Sequence, residues 1–330
     1  MAAPILEVED LGVEFLTDHG WVRVVDGVSF SVGEGETLGL VGESGSGKTV
    51  TSLSVMQLIP VPPGRISGGS IRFAGRELVG MSEPQLEDIR GDDIAMVFQE
   101  SMTSLNPAFT IGEQISEVVR RHRGCSRREA RDRAVEVLEL VQIPDPRSRL
   151  GAFPHEFSGG MRQRAAIAMA LACDPKVLIA DEPTTALDVT VQAQVLDLLR
   201  SLQERFGMAI LFVTHNLGVV ADLCDRVAVM YAGRIVETAT VFDLFESPQH
   251  PYTEGLLQAM PQLGERGKRL AAIPGTPPMP WQMPTGCRFH PRCPYAETAC
   301  TEQDIPLRAL AGDRHVRCRR VEELTLEGAQ

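Results

Sequence analysis

Residues 42–49 constrain this chain more than any other stretch. They read Gly42-Glu43-Ser44-Gly45-Ser46-Gly47-Lys48-Thr49, which fits G-x-x-x-x-G-K-[ST]. Glycine at these spacings lets backbone N–H groups turn inward around phosphate oxygens, and a helix that follows points its positive end at the same charge. The flanks supply that context. Thr37-Leu38-Gly39-Leu40-Val41 before the loop is an apolar run of strand length. After Lys48 the pattern turns helical through Leu53 and Met56, and Ile59-Pro60 closes it. A chance glycine-rich turn would not need both flanks. Gly42, Ser44, Gly45, Ser46 and Gly47 are the expected cradle, Lys48 the contact to the β- and γ-phosphates, and the Thr49 hydroxyl a ligand for Mg²⁺.

The rest of the first 240 residues follows the same architecture. Val177-Leu178-Ile179-Ala180 and Ala209-Ile210-Leu211-Phe212-Val213 are compact apolar runs with a helical stretch, 192–205, between them. That βαβ rhythm implies a parallel sheet covered on both faces. Residues 5–41 read as strands joined by turns. Residues 125–142 form an amphipathic helix with Ala130, Ala134, Val137, Leu138 and Val141 on one face, and another helix runs from near Ser158 through Ala172. Asp181-Glu182 ends the first apolar run. A carboxylate there beside a phosphate loop can hold the Mg²⁺ shell, which suits Asp181, and Glu182 can polarise an attacking water. An ordinary strand-ending acidic pair is the plain alternative. His215 lies at the end of the second run, where a lone histidine is more often structural. After about residue 240 periodicity fades and prolines cluster from Pro274 to Pro284. The expected domains are residues 1–240, with a helical subdomain at about 100–165, and a loop-rich module at 241–330.

Charge and composition exclude other classes. The chain has 330 residues, 43% hydrophobic, and a net charge of −12, which argues against a nucleic-acid partner. The basic stretch from Arg120-Arg121-His122-Arg123 to Arg133 reads as a solvated helix face. No run approaches the roughly 18 apolar residues that span a bilayer, and the N-terminus lacks a secretory pattern. A cytoplasmic position is expected, where thiols stay reduced. Of seven cysteines, Cys287, Cys293, Cys300 and Cys318 crowd near the C-terminus. In a reduced compartment they favour metal over disulfides, with unliganded thiols the plain alternative. Tetrahedral zinc and a four-iron four-sulfur cluster both take four cysteines. Zinc sites prefer closer pairs than any present here. Wider gaps suit a cubane, and Cys293-Pro294 echoes a pattern of cluster sites.

Other elements then fall into a known order. Gln99 after an apolar run, Phe157-Ser158-Gly159-Gly160-Met161 before a helix, Ala186-Leu187-Asp188 after Asp181-Glu182, and His215 resemble the motifs of ABC ATPases over residues 5–240. The resemblance implies a P-loop α/β nucleotide-binding domain with a helical insert and a small loop-rich C-terminal module. It implies ATP and Mg²⁺ as cofactors, with Thr49, Gln99 and Asp181 about the metal. Glu182 would position water, and His215 would sense the γ-phosphate. Gln99 would sense Mg²⁺ and the permease. Ser158, Gly159 and Gly160 would contact ATP held by a partner subunit, and Asp188 would link the two sites. Phe15 is the candidate to stack on adenine, with Trp21 the alternative. Met161 stands where glutamine is commoner, beyond the phosphate-contacting residues.

A single phosphate loop and the short 100–157 segment argue against ABC proteins of translation or repair, and intact Glu182 and His215 against an inactive scaffold. His250-Pro251-Tyr252-Thr253, Ile273-Pro274-Gly275 and Gly286-Cys287-Arg288-Phe289-His290-Pro291-Arg292-Cys293-Pro294 are similar to the tail of oligopeptide/dipeptide permease ATPases, closest to the first of their paired subunits. Importers of nickel and some sugars share these marks. The resemblance implies a second, similar ATPase subunit in a heterodimer, two transmembrane permease subunits and an extracytoplasmic solute-binding protein. It also implies a place on the cytoplasmic face of the membrane. Some of these ATPases carry an iron–sulfur cluster at the terminal cysteines, with zinc the alternative.

Overall fold

The computed structural model describes residues 3–99, 104–185, 187–260 and 272–329. Ala186, and residues 100–103 at the start of the expected helical segment, lie outside the described residues. Contacts divide the chain into two compact units. One comprises Met1–Leu6, Val32–Glu36 and Gly80–Phe212; the other comprises Glu7–Ser31, Thr37–Val79 and Val213–Gln330.

The unit built mainly from residues 80–212 holds α2 (Glu83–Ile89), β6 (Ile94–Val97), α3 (Ile111–Arg123), α4 (Arg127–Leu140), α5 (Gly159–Ala170), β7 (Val177–Asp181), α6 (Val189–Phe206) and most of β8 (Ala209–Thr214). Strands run in the order β8-β7-β6. β6 and β7 are parallel, from Ile94 opposite Val177 to Val97 opposite Ala180. Every residue of β7 and β8 is buried, so these strands read as unbroken apolar runs rather than alternating ones. Helix starts follow local chemistry. Thr110 and Ser126 each form a reciprocal capping box, with Glu113 and Glu129 respectively, satisfying backbone N–H groups that a helix start leaves orphaned. Helix α4 therefore begins two residues after the start expected at 125. It buries Ala130, Ala134, Val137 and Leu138. The basic stretch is held in ion pairs, Arg121 with Glu87 and both Arg123 and Arg133 with Asp174.

The other unit contains a sheet of order β2-β1-β4-β5, formed by β1 (Leu6–Thr17), β2 (Gly20–Val32), β4 (Gly64–Phe73) and β5 (Arg76–Glu77). It also contains β3 (Thr37–Val41), α1 (Lys48–Val55), α7 (Leu217–Leu223), β9 (Arg226–Tyr231), β10 (Arg234–Thr240), α8 (Val241–Glu246), α9 (Pro251–Gln258), β11 (Arg308–Ala309) and β12 (His315–Val316). Here strands run β11-β12-β10-β9-β3. β3 and β9 are parallel, Leu38 opposite Arg226 to Val41 opposite Val229. β12 lies antiparallel on β10, placing Val316 opposite Glu237. A core of Val41, Val229, Tyr231, Leu244, Tyr252, Leu257 and Phe289 joins strand, helix and C-terminal loops. Burial of such side chains contributes about 1.5–3 kcal/mol each.

Candidate functional site

β3 is buried along its whole length and delivers the chain into the 42–49 loop. A Cβ on Gly42 would lie 2.1 Å from the Met230 carbonyl oxygen, so only glycine lets the loop leave the sheet there. Gly47 has φ +104° and ends the loop as the N-cap of α1, without a side-chain cap. The first N–H groups of α1 are thus not covered by a capping side chain. Lys48 is buried. Its ammonium Nζ donates to the carbonyls of Gly42 at 2.8 Å and Glu43 at 3.0 Å, which curls the loop around it. The Ser46 hydroxyl is buried without a hydrogen-bond partner among the described residues. A buried hydroxyl of that kind fits a loop built for an oxygen-rich ligand. Ser44, Gly45 and Thr49 are exposed. Of the two aromatic candidates, Phe15 is half-buried, whereas Trp21 is exposed and carries the Arg65 guanidinium 3.8 Å over its ring. A covered face is a poor platform for a second flat ring.

In the other unit, β7 ends on Asp181, which is buried, and the next residue breaks the rules of backbone geometry. Glu182 has φ +46°, a left-handed conformation unfavourable for a non-glycine residue and typical of functional positions. The Gln99 amide donates to the Glu182 carboxylate at 3.2 Å, and the Thr185 hydroxyl donates at 2.9 Å. The family resemblance gave both Gln99 and Glu182 roles at the nucleotide, and the structure brings the two side chains into contact. Ser158 caps α5 by accepting the Met161 N–H at 3.3 Å, leaving Gly159 in open space. A Cβ on Gly160 would meet Val191 at 2.8 Å. Asp188 caps α6, accepting the Val191 N–H at 2.9 Å. His215 follows β8 and is exposed. Chemically, one unit offers an anion cradle with a lysine, and the other a hydrogen-bonded carboxylate on a strained turn. Those are the parts that phosphoryl transfer to water requires.

Comparisons with known proteins decide which family carries these parts. The ABC transporter family model matches residues 25–185, and the model of the oligopeptide/dipeptide transporter C-terminal region matches residues 236–300. The oligopeptide transport ATP-binding protein OppD of Bacillus subtilis (strain 168) is 54% identical over 314 residues, spanning 95% of this chain and 88% of OppD. The chain belongs to the ATP-binding subunits of the oligopeptide/dipeptide ABC transporter family. A putative peptide import ATP-binding protein of Brucella abortus is likewise 54% identical, across 97% of this chain and 98% of its own length. Among solved structures, the dimeric, ADP- and phosphate-bound post-hydrolysis state of the ATP-binding cassette MJ0796 has a TM-score of 0.64 at 27% identity. It covers 72% of this chain and 98% of that one. The cbiO1 subunit of an ABC transporter complex from Clostridium perfringens has a TM-score of 0.61 at 27% identity, over 73% and 90% of the two chains.

In this permease ATPase the C-terminal region brings Cys287, Cys293, Cys300 and Cys318 to the lining of one cavity, beside His250 and Phe289. Burial pushes the Cys293 thiol up to about 12 and Cys318 up to about 11, and raises Cys287. Among the described residues no three His, Cys, Asp or Glu side chains form a ready-made site for a single metal ion. The same region reaches the phosphate loop. The Glu43 N–H donates to the Tyr252 hydroxyl at 2.8 Å. Arg292 pairs in a fork with the Glu43 carboxylate, at 2.6 and 2.9 Å. Arg288 binds Asp26 and the Ala232 carbonyl, and the neighbouring Gly233 N–H donates to the Ser46 carbonyl at 2.8 Å. Sequence reasoning missed Tyr252, Arg288 and Arg292 as site residues, although all three stand inside the stretches that mark the family.

Proposed function

We propose that this chain is the ATP-hydrolysing subunit that powers import of di- or oligopeptides. Enzymatically it is an ABC-type ATP hydrolase. The observation that carries the reading is the presence, in a chain of this family, of both an intact phosphate loop and a strained, hydrogen-bonded Glu182. Lys48 and the loop N–H groups bind the phosphates. Thr49, Asp181 and Gln99 surround Mg²⁺, and Glu182 positions the water that attacks the γ-phosphate. His215 senses that phosphate. Ser158, Gly159 and Gly160 complete the site of another subunit, with Asp188 linking the two. Phe15 stacks on adenine. Residues 1–240 serve as the ATPase domain and 241–330 as the family's C-terminal domain. Its partners are a similar ATPase subunit, two permease subunits and a solute-binding protein, and its place is the cytoplasmic face of the membrane. The dimeric cassette among the solved relatives supports the paired arrangement. If the site is shared in this way, the isolated chain hydrolyses ATP slowly, and adding its partner ATPase and permease accelerates it. Equal turnover by the highly diluted chain alone contradicts the shared site.

The four terminal cysteines are read as ligands of a four-iron four-sulfur cluster. Their donor set and common cavity support it. The spacing favours a cluster over tetrahedral zinc, whose structural sites prefer closer cysteine pairs than any present here. The cluster would supply the positive charge that keeps four buried thiolates ionised, and so would hold a loop-rich fold together. Anaerobically purified protein is expected to be brown, with iron and acid-labile sulfide that Cys293→Ser removes. A colourless preparation holding one equivalent of zinc would overturn this assignment.

A further inference from the structure

Glu43 is the second residue of the phosphate loop, and every polar group it has is committed. Its carbonyl faces into the loop, accepting from Lys48 Nζ at 3.0 Å and from the Ser46 N–H at 3.2 Å. Its N–H and carboxylate face away, toward Tyr252 and Arg292. The loop's first turn is therefore fixed from both sides, by Lys48 within and by the C-terminal region without.

The outer grip is itself held in place. The Arg292 side chain is only 5% exposed. Its Nε donates to the Pro274 carbonyl at 2.9 Å, and its guanidinium lies 5.8 Å from the Tyr231 ring and 6.0 Å from the Phe289 ring. Tyr252 is fully buried against the same two rings, with centroids 4.6 Å from Tyr231 and 5.3 Å from Phe289. Such packing removes the rotamer freedom that usually makes an arginine–carboxylate pair weak. The aim is specific as well. A planar fork on a carboxylate fixes orientation, which a lysine at the same place does not.

Electrostatics gives the arrangement a purpose. A free carboxylate at the second position of an anion cradle repels the phosphates the cradle is built to hold. Paired with Arg292, the Glu43 charge is neutralised and turned away from the loop interior. We propose that Arg292 is a positioning residue of the nucleotide site: acting through Glu43, it holds the first turn of the phosphate loop in its binding shape and screens the loop's own carboxylate from bound phosphate. Tyr252 assists through the Glu43 N–H. The C-terminal region thereby forms the outer wall of the nucleotide site. This inference rests on the reading of residues 42–49 as an ATP-binding loop.

The test is equilibrium binding of Mg-ATP to the full chain and four variants, with thermal unfolding recorded alongside. Arg292→Ala is expected to weaken binding about tenfold to a hundredfold, the range that a small misplacement of a binding group produces. Arg292→Lys keeps the charge but loses the fork, and should fall between wild type and Arg292→Ala. It also keeps the test open should Arg292→Ala fail to fold. Glu43→Gln loses the charged fork but leaves no unscreened charge in the loop, and should weaken binding less than Arg292→Ala. The double variant Arg292→Ala with Glu43→Gln should recover much of the lost affinity, because the unscreened charge is gone. A residue that only filled space would show no such recovery. Wild-type affinity in both Arg292 variants, or an equal loss in the single and double variants, overturns the inference and leaves the ATP-binding reading standing. Failure of the wild-type chain to bind Mg-ATP overturns both.

Discussion

Glu182 is one of several non-glycine residues held at positive φ, and there the strain coincides with the group assigned to position water. For a residue with a Cβ the left-handed region costs about 1–2 kcal/mol, and here φ is +46°. Two variants separate geometry from chemistry, since each lacks the carboxylate. Glu182→Gly should be more stable than Glu182→Ala by about 1 kcal/mol, or about 2 °C in Tm, while neither hydrolyses ATP. Equal Tm values would remove strain from the account. At this scale the sequence is most legible where spacing is rigid. The 42–49 loop, Asp181-Glu182 and His215 can be found by their distance from an apolar run. Gln99 meets Glu182 across 83 positions, and a known motif order anticipates that meeting. Arg292 meets Glu43 across 249 positions. No local pattern encodes so distant a pair, so only the folded chain reveals it.

Elements follow their local signals closely where a cap or a long apolar run defines them. Helix α4 starts at its Ser126 cap, and β7 and β8 coincide with the two apolar runs. The short strands β11 and β12 could not be read in advance, because two residues carry no periodicity and their pairing depends on β10. Helix α9 shows how a buried titratable group serves an element. His250 is its N-cap, and its ring Nδ1 accepts the Tyr252 N–H at 3.1 Å. Burial pushes the His250 imidazole down to about 3, so the folded ring stays neutral while the unfolded one takes a proton below about 6.5. Its contribution to stability is therefore present above pH 6.5 and is lost as pH falls from there toward 3, by up to about 1.4 kcal/mol per pH unit. Glu237, which accepts the His250 N–H at 2.9 Å, is pushed by burial up to about 7 and acts in the opposite sense. The difference in stability between wild type and His250→Asn, followed by unfolding across pH 7 to 4, isolates the histidine. Asparagine caps helices without titrating. The wild type should lose stability on acidification relative to the variant. A difference independent of pH would exclude a neutral buried histidine.

The phosphate loop and His215 lie in one compact unit, and Gln99, Asp181, Glu182 and the Ser158 loop in the other. That division explains why the sequence shows each motif but not its partners, since residues 37–79 share a unit with 213–330 and not with the stretch between. The net charge is −12, and among the described residues no helix is long and apolar enough to cross a membrane. These facts say nothing of the cargo, which no residue of an ATP site needs to touch. The central claim is that ATP hydrolysis at Glu182 drives peptide uptake. Its most direct test is uptake of a labelled oligopeptide by the complete transporter in vesicles loaded with ATP, comparing wild type with Glu182→Gln. The wild type should accumulate peptide. The variant should still bind Mg-ATP while hydrolysis and uptake fall at least about a hundredfold, the usual loss when a positioned general base is removed. Uptake by Glu182→Gln at the wild-type rate would contradict the account.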